Sequence, residues 1–479
     1  MSNPIRKLPM AAAIYATGDI LVKATSFLLL PLLTRYLSPR DYGIVGSVTA
    51  FAIVLGLILQ LNLHGAVMRF YGEQNSDEDR RRFTGTLMAF SLIWSSAMVL
   101  VLNVIGPFVL NGIYKEVSFE PYLRMGTWIA TFNALGTLPL TVLQVQQRPG
   151  LHRLFSISTF LLHTSFMLFF VIGMKMGAYG ALMGQLVGAG LAAIGYLVFI
   201  RRHAHLVISR DILKMCLVFS LPLLVYALGG WIVDMSNRIF IERFINLDQL
   251  GLFNVATQFA MVLGYLLNAV GMAFTPLFYE TVRLSDGARV LARFGIVYVA
   301  AALGMALTVA VFSREAIVLL TEPRFHAAYR VVPILTATQA LTAFWHLIVN
   351  PLMLKKKTGL LMTVMLGSAV ISILINVMLV PRFGIIGAAL AAFAGNLALN
   401  CVVFFFSIRA YPVPYDYRQL AIVVGSAVGL YFLASVVAGG GTLSSIAARA
   451  LIVAMYPVLL IVSRIVDRSE VERLLKVHE

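Results

Sequence analysis

The chain has 479 residues, of which 60% are hydrophobic and only 12% charged, and its mean hydropathy is +0.88. A soluble domain carries about a quarter charged residues, and single cores stop growing near this size, so one water-soluble core is excluded. Two cysteines, Cys216 and Cys401, exclude a disulfide scaffold or a cysteine-rich metal site, and the +16 net charge must be tested against membrane orientation before nucleic acid is invoked.

A spanning helix needs about 20 mostly apolar residues. Along the chain such stretches fall at 9–34, 43–68, 85–110, 125–146, 154–174, 178–200, 215–236, 251–275, 294–313, 331–354, 359–380, 384–407, 419–437 and 445–463. The expected fold is therefore all-α and integral to a membrane, with about 14 transmembrane helices. The first and seventh stretches carry charges. The basic N-terminus has no small-residue cleavage site behind a short apolar core, so 9–34 reads as a retained helix rather than a signal peptide. No segment between stretches exceeds 17 residues. Function must then be performed by the helix bundle itself.

With the N-terminus inside, 23 Lys and Arg fall in inner segments and 12 in outer ones, leaving Lys23 and Arg69 within spans. This bias predicts both termini on the cytoplasmic side and absorbs the net charge without a nucleic-acid partner. The run Asp77-Glu78-Asp79 before Arg80 to Arg82 reads as a solvated inner loop.

The sequence also repeats itself. At a shift of 208, Gly43 to Gly56 falls on Gly251 to Gly264 with seven of fourteen positions identical. Arg35-Tyr36 falls on Arg243-Phe244 at the same shift, and Gly177-Ala-Tyr-Gly-Ala181 echoes Gly384-Ile-Ile-Gly-Ala388 at 207. Tyr15-Ala-Thr-Gly18 echoes Tyr226-Ala-Leu-Gly229 at 211. A lag of six helices is even, so the copies enter the membrane from the same side, as parallel repeats. The expected organisation is two six-helix bundles, 1–205 and 206–410, around a central cavity. Two extra helices and a cytoplasmic tail fill 411–479.

Charges inside a span are costly and face a bundle interior or a wet cavity. In the first helix Tyr15, Asp19, Lys23 and Ser26 share one face, and Asp19 and Lys23 form an acid-before-base i,i+4 pair. Asp234 falls on Lys23 at shift 211, so the two could pair across the pseudo-twofold axis. The plainer alternatives are a packing pair for Asp19 and Lys23 and a near-surface site for Asp234. Within an expected continuous helix, Gln60 and His64 share one face and Asn62 and Arg69 another. Arg69 also reads as a snorkelling side chain, and His64 as a packing residue. Asn133, Gln144, Gln185, Gln258, Asn268, Gln339, Asn350, Asn376 and Asn396 are scattered one or two per helix, most to glue helices together and a few to line a passage. No catalytic, phosphate-loop or metal motif is present, so neither an enzyme nor a cofactor or metal site is expected.

Pro31-Leu-Leu-Thr-Arg35-Tyr-Leu-Ser-Pro-Arg-Asp-Tyr42-Gly43, with the apolar helix after it, resembles the first-to-second-helix signature of bacterial polysaccharide flippases. These are the O-antigen and exopolysaccharide exporters of the multidrug/oligosaccharidyl-lipid/polysaccharide (MOP) superfamily. Gly65-Ala-Val-Met-Arg69-Phe-Tyr71, Ser220-Leu-Pro222 and Gly384 to Ala389 resemble further helix ends of the same family. Family members often carry Asp-Arg where this chain has Asn237-Arg238, so a role tied to that acid does not carry over.

The resemblance implies translocation of a polyprenyl-diphosphate-linked oligosaccharide from the inner to the outer leaflet of the bacterial cytoplasmic membrane, by alternating access. It implies membrane lipids, a polysaccharide polymerase and chain-length machinery as partners. The diphosphate suits a cavity carrying Lys23, Arg69 and Arg35. Asp19, Asp234 and His64 are the candidates for ion coupling or gating. A lipid II flippase and a cation-coupled multidrug exporter of the same superfamily are the nearest alternatives. A drug exporter should favour acidic cavity residues, whereas the intramembrane charges here are balanced. A membrane polymerase or ligase would need a larger outer loop than this chain has.

Overall fold

The computed structural model describes residues 27–203, 206–437, 443–463 and 465. All regular structure among them is helical. In chain order the helices are α1 (Leu30–Tyr36), α2 (Pro39–Gln60), α3 (Leu63–Phe70), α4 (Asp77–Ile113), α5 (Arg124–Val145), α6 (Pro149–Leu168), α7 (Gly177–His203) and α8 (Arg210–Met235). They continue as α9 (Asn237–Phe244), α10 (Leu247–Thr281), α11 (Gly287–Val311), α12 (Ser313–Leu320), α13 (Val332–Leu354), α14 (Thr358–Ala410), α15 (Tyr417–Val436) and α16 (Leu443–Val462). Among the described residues, twelve helices are long and apolar enough to cross a membrane. One of these, α14, has 53 residues, about 80 Å at 1.5 Å per residue, which is too long for one crossing. Its backbone breaks at Gly384, where φ is +60°, so it holds both stretches expected at 359–380 and 384–407. The first expected stretch lies largely outside the described residues.

Helix starts follow local chemistry. Ser38 and Asp41 form a reciprocal capping box at the start of α2. Ser76 Oγ accepts from the Asp79 N–H at 3.0 Å to open α4. The acidic run 77–79, expected as a loop, is therefore the first turn of a helix, where its charge opposes the helix dipole. A second departure is sharper. The span expected at 43–68 is broken, because Leu61 and Asn62 both adopt left-handed φ, +46° and +54°. Gln60 and His64 consequently lie on different helices, and the shared-face argument for them fails. Arg449 belongs to the stretch expected at 445–463, so the outer count in the charge bias is 11 rather than 12. Its side chain lies inside α16, buried, and its Nη2 donates to Glu315 Oε1 at 2.7 Å.

The chain forms two compact units, 1–254 with 376–388 and 255–375 with 389–479. In the first, α7 packs along α6 and α5, and α2 packs on α5. In the second, α11 packs on α13, α15 and α16. The duplication read from the sequence reappears as matched local geometry. α5 ends with Arg148 N–H donating to Leu143 O and Gln147 N–H to Gln144 O, with Gln147 at φ +54°. α13 ends in the same way 209 residues later, with Lys357 on Leu352, Lys356 on Met353, and Lys356 at φ +54°. Both are six-to-one helix endings around one left-handed residue. Gly177 and Gly384, aligned in the sequence, share a positive φ of +56° and +60°, which glycine alone adopts without steric cost.

Candidate functional site

In the first unit, α2, α5 and α7 line a half-open cavity of about 290 Å³, with Thr49 and Asn133 exposed at it. Four polar side chains line it, Thr49 and Gln60 from α2, Asn133 from α5 and Gln185 from α7. The rest of the described wall is aliphatic, including Ile53, Leu57 and Leu182, and no charged side chain among the described residues lines it. Among the described residues none of the four polar side chains makes a hydrogen bond with the protein. Four other amides are closed onto the protein. Asn268, Asn350 and Asn396 each donate to the carbonyl four residues before, at 2.8, 2.8 and 3.1 Å. Asn376 Nδ2 donates to Asn237 Oδ1 at 3.0 Å, both side chains buried. Of the amides scattered through the sequence, Asn133 and Gln185 thus face a cavity, and these others are closed onto protein.

The charged candidates fall elsewhere. Asp19 and Lys23, and with them the pairing expected between Lys23 and Asp234, lie outside the described residues. Arg69 is on α3, exposed, ion-paired with Glu73 one turn on, and 5.4 Å above the Phe70 ring. Arg35 ends α1 and is exposed. His64 is half-buried on α3, with Nδ1 enclosed and without a hydrogen bond. Asp234 is exposed near the end of α8. None of these four lines the cavity.

A second constellation joins the N-terminal ends of α2 and α10. A Cβ on Gly43 would lie 2.0 Å from Leu247 O, and one on Gly251 would lie 1.9 Å from Pro39 O. Gly43 and Gly251 are 208 apart, and so are Pro39 and Leu247, so the helices cross through a symmetric pair of glycine-to-carbonyl contacts. Their caps correspond too. Ser38 opens α2, and Asn246 Oδ1 accepts from Gln249 N–H at 2.8 Å to open α10.

One helical turn further, Asn254 fills the space a side chain at Gly46 would need. Its Nδ2 donates to Tyr42 O at 3.2 Å, and its Oδ1 accepts from Arg238 Nε at 3.1 Å. Burial lowers the Arg238 pKa to about 10, with Asp234 pulling the other way, so the guanidinium stays charged at neutral pH.

α9 is tied to the far end of α4. Arg243 Nη1 donates to Gly112 O and Ile113 O at 2.6 and 3.0 Å, satisfying carbonyls the helix end leaves open. Glu242, with no exposed surface, accepts from the backbone N–H groups of Lys115, Glu116 and Val117. Burial, with the Glu242 charge adding to it, pushes the Tyr114 phenol well above its ordinary pKa.

Sequence reasoning missed Thr49, Glu242, Asn254 and the Arg238 contacts. For Asn254 a signal existed, because the aligned repeat sets this amide opposite Gly46. For the others the partners are distant in the chain.

Comparisons place the chain among known proteins. The family model described as "Polysaccharide biosynthesis protein" matches residues 11–282. A protein of the Lsg locus of Haemophilus influenzae is 22% identical over 284 residues, covering 57% of this chain and 66% of that protein, just under two thirds of its length. Among solved structures, the lipid II flippase MurJ in an inward closed conformation superposes with a TM-score of 0.73 at 14% identity, covering 94% of this chain and 99% of MurJ. An inward-facing multidrug resistance MATE family transporter of the MOP superfamily reaches 0.60 at 15% identity, over 82% of this chain and 98% of its own. At these identities the likeness establishes the fold.

Proposed function

The chain belongs to the polysaccharide biosynthesis protein family, and from that premise we propose that it is a flippase for a polyprenyl-diphosphate-linked oligosaccharide. The substrate moves from the inner to the outer leaflet of the bacterial cytoplasmic membrane, by alternating access of the two six-helix halves, 1–205 and 206–410. Both termini lie in the cytoplasm. The observation that carries this reading is a cavity lined by unbonded polar groups inside helices that are otherwise apolar enough to span a bilayer. Such a cavity suits a polar headgroup that must cross a hydrocarbon layer. Among the described residues its walls carry no carboxylate, which disfavours the alternative of a cationic drug as cargo.

The diphosphate needs cations, and Lys23, Arg35 and Arg69 are the proposed ligands. Arg69 would have to give up its ion pair with Glu73 to bind it. Asp19, Asp234 and His64 remain the proposed coupling groups. The test is translocation in proteoliposomes of a fluorescent polyprenyl-diphosphate disaccharide. Wild type is expected to move the probe well above protein-free vesicles, and Lys23→Ala and Arg35→Ala to slow it about tenfold each, the worth of one charge-assisted contact. Arg69→Ala should have a smaller effect. A wild-type rate equal to that of empty vesicles overturns the flippase reading, and unchanged rates in the Lys23 and Arg35 variants overturn the diphosphate site.

A further inference from the structure

A polar side chain inside a membrane span stays costly until it is hydrogen-bonded, and Asn268, Asn350, Asn396 and Asn400 meet that cost by closing onto a backbone carbonyl. Thr49, Gln60, Asn133 and Gln185 break it together. They come from three helices and meet at one cavity of about 290 Å³, and none spends its side-chain hydrogen bonds on the protein among the described residues.

The internal repeat supplies a control. Gln60 corresponds at shift 208 to Asn268, whose Nδ2 donates to Gly264 O at 2.8 Å. The same helix position is closed in the second unit and open in the first. Helix-packing glue does not account for that difference, because both units have helices to hold.

We propose that this cavity is a subsite for an uncharged sugar, and that it takes the glycan of the lipid-linked substrate while excluding the diphosphate. The inference rests on the flippase reading and specifies where the glycan goes. Three features match the chemistry. Primary amides and a hydroxyl offer donors and acceptors together, as sugar hydroxyls and acetamido groups require, whereas a phosphate needs donors alone. The aliphatic walls at Ile53, Leu57 and Leu182 suit the C–H faces of a pyranose ring. The volume equals that of about ten waters at ~30 Å³ each, room for one or two sugar rings. A doubly ionised diphosphate would meet walls that carry no cation among the described residues, at a desolvation cost that none of these side chains offsets.

The experiment measures binding to the full chain in lipid nanodiscs with two probes, polyprenyl diphosphate alone and the same lipid bearing a neutral N-acetylated disaccharide. Wild type is expected to prefer the glycosylated probe by at least about tenfold, the sum of a few neutral hydrogen bonds. Asn133→Leu combined with Gln185→Leu should abolish that preference and keep the affinity for the bare lipid. Asn268→Leu, at the repeat-related position, should keep the preference. Because the two cavity amides have no hydrogen-bond partner among the described residues, their double variant should melt no lower than wild type, which separates lost binding from lost folding.

A preference that survives the double variant overturns the proposal, as does an equal loss for both probes. Equal wild-type affinity for the two probes overturns the sugar subsite and leaves the flippase reading standing. Binding of neither probe overturns both.

Discussion

Glu242 is a fully buried carboxylate whose described hydrogen-bond donors are three successive backbone N–H groups, at Lys115, Glu116 and Val117. Such a nest of main-chain donors solvates an anion well, because the donors are already fixed in place. Its neighbour Arg243 takes the carbonyls at Gly112 and Ile113, so two adjacent residues complete both the acceptors and the donors around the end of α4. Glu242→Ala would orphan the three N–H groups at a cost of about 2–3 kcal/mol, while Glu242→Gln keeps one acceptor oxygen and should cost less than half as much. Thermal unfolding in detergent measures this, and an alanine variant as stable as wild type would refute it. The sequence presents Glu242 and Arg243 as ordinary loop charges, since their partners lie about 130 residues away. The Arg69 pairing is the opposite case. Glu73 follows it at i,i+4, and that ion pair was readable from spacing alone.

At the scale of elements, the crossing of α2 over α10 depends on two glycines. Each faces a backbone carbonyl at a separation where a Cβ cannot fit, and a carbonyl cannot rotate aside as a side chain can. Gly43→Ala and Gly251→Ala should therefore destabilise the protein by similar amounts, at least ~2 kcal/mol each. Unequal melting temperatures would argue against the symmetric contact. The repeat made both glycines visible in the sequence, yet their role was not, because a shared glycine in apolar helices reads equally as chance or packing. The break between α2 and α3 was not legible either. Nothing in Gln60-Leu61-Asn62-Leu63 resembles a helix stop except Asn62, which tolerates left-handed φ; Leu61 takes it as well, at a steric cost of about 1–2 kcal/mol. Burial of Leu61 and Leu63 in the cluster with Phe83 and Leu87 favours the break.

For the whole molecule, apolar composition and the Lys/Arg bias are the strongest signals, because a bilayer imposes length and charge rules that act along the chain. They lead to one topological expectation. Single cysteines introduced at Arg80 and Lys356, in a background lacking Cys216 and Cys401, should react with a membrane-impermeant reagent only from the cytoplasmic side. A cysteine at Lys115 should react from the opposite side. Reversed labelling would invert the proposed direction of transport, and labelling of 80 and 115 from one side would remove the span between them.

The sequence by itself determined that the chain lives in a membrane, that it is helical, that its halves are related and which family it resembles. Those properties follow from local composition and from comparing the chain with itself. Only the tertiary structure decided which polar groups are available for a ligand. An amide that folds back on its own helix and one that faces a cavity have the same letter and the same hydropathy. Gln60 and Asn268 occupy matching positions, and what separates them is the hydrogen bond that one makes and the other leaves open.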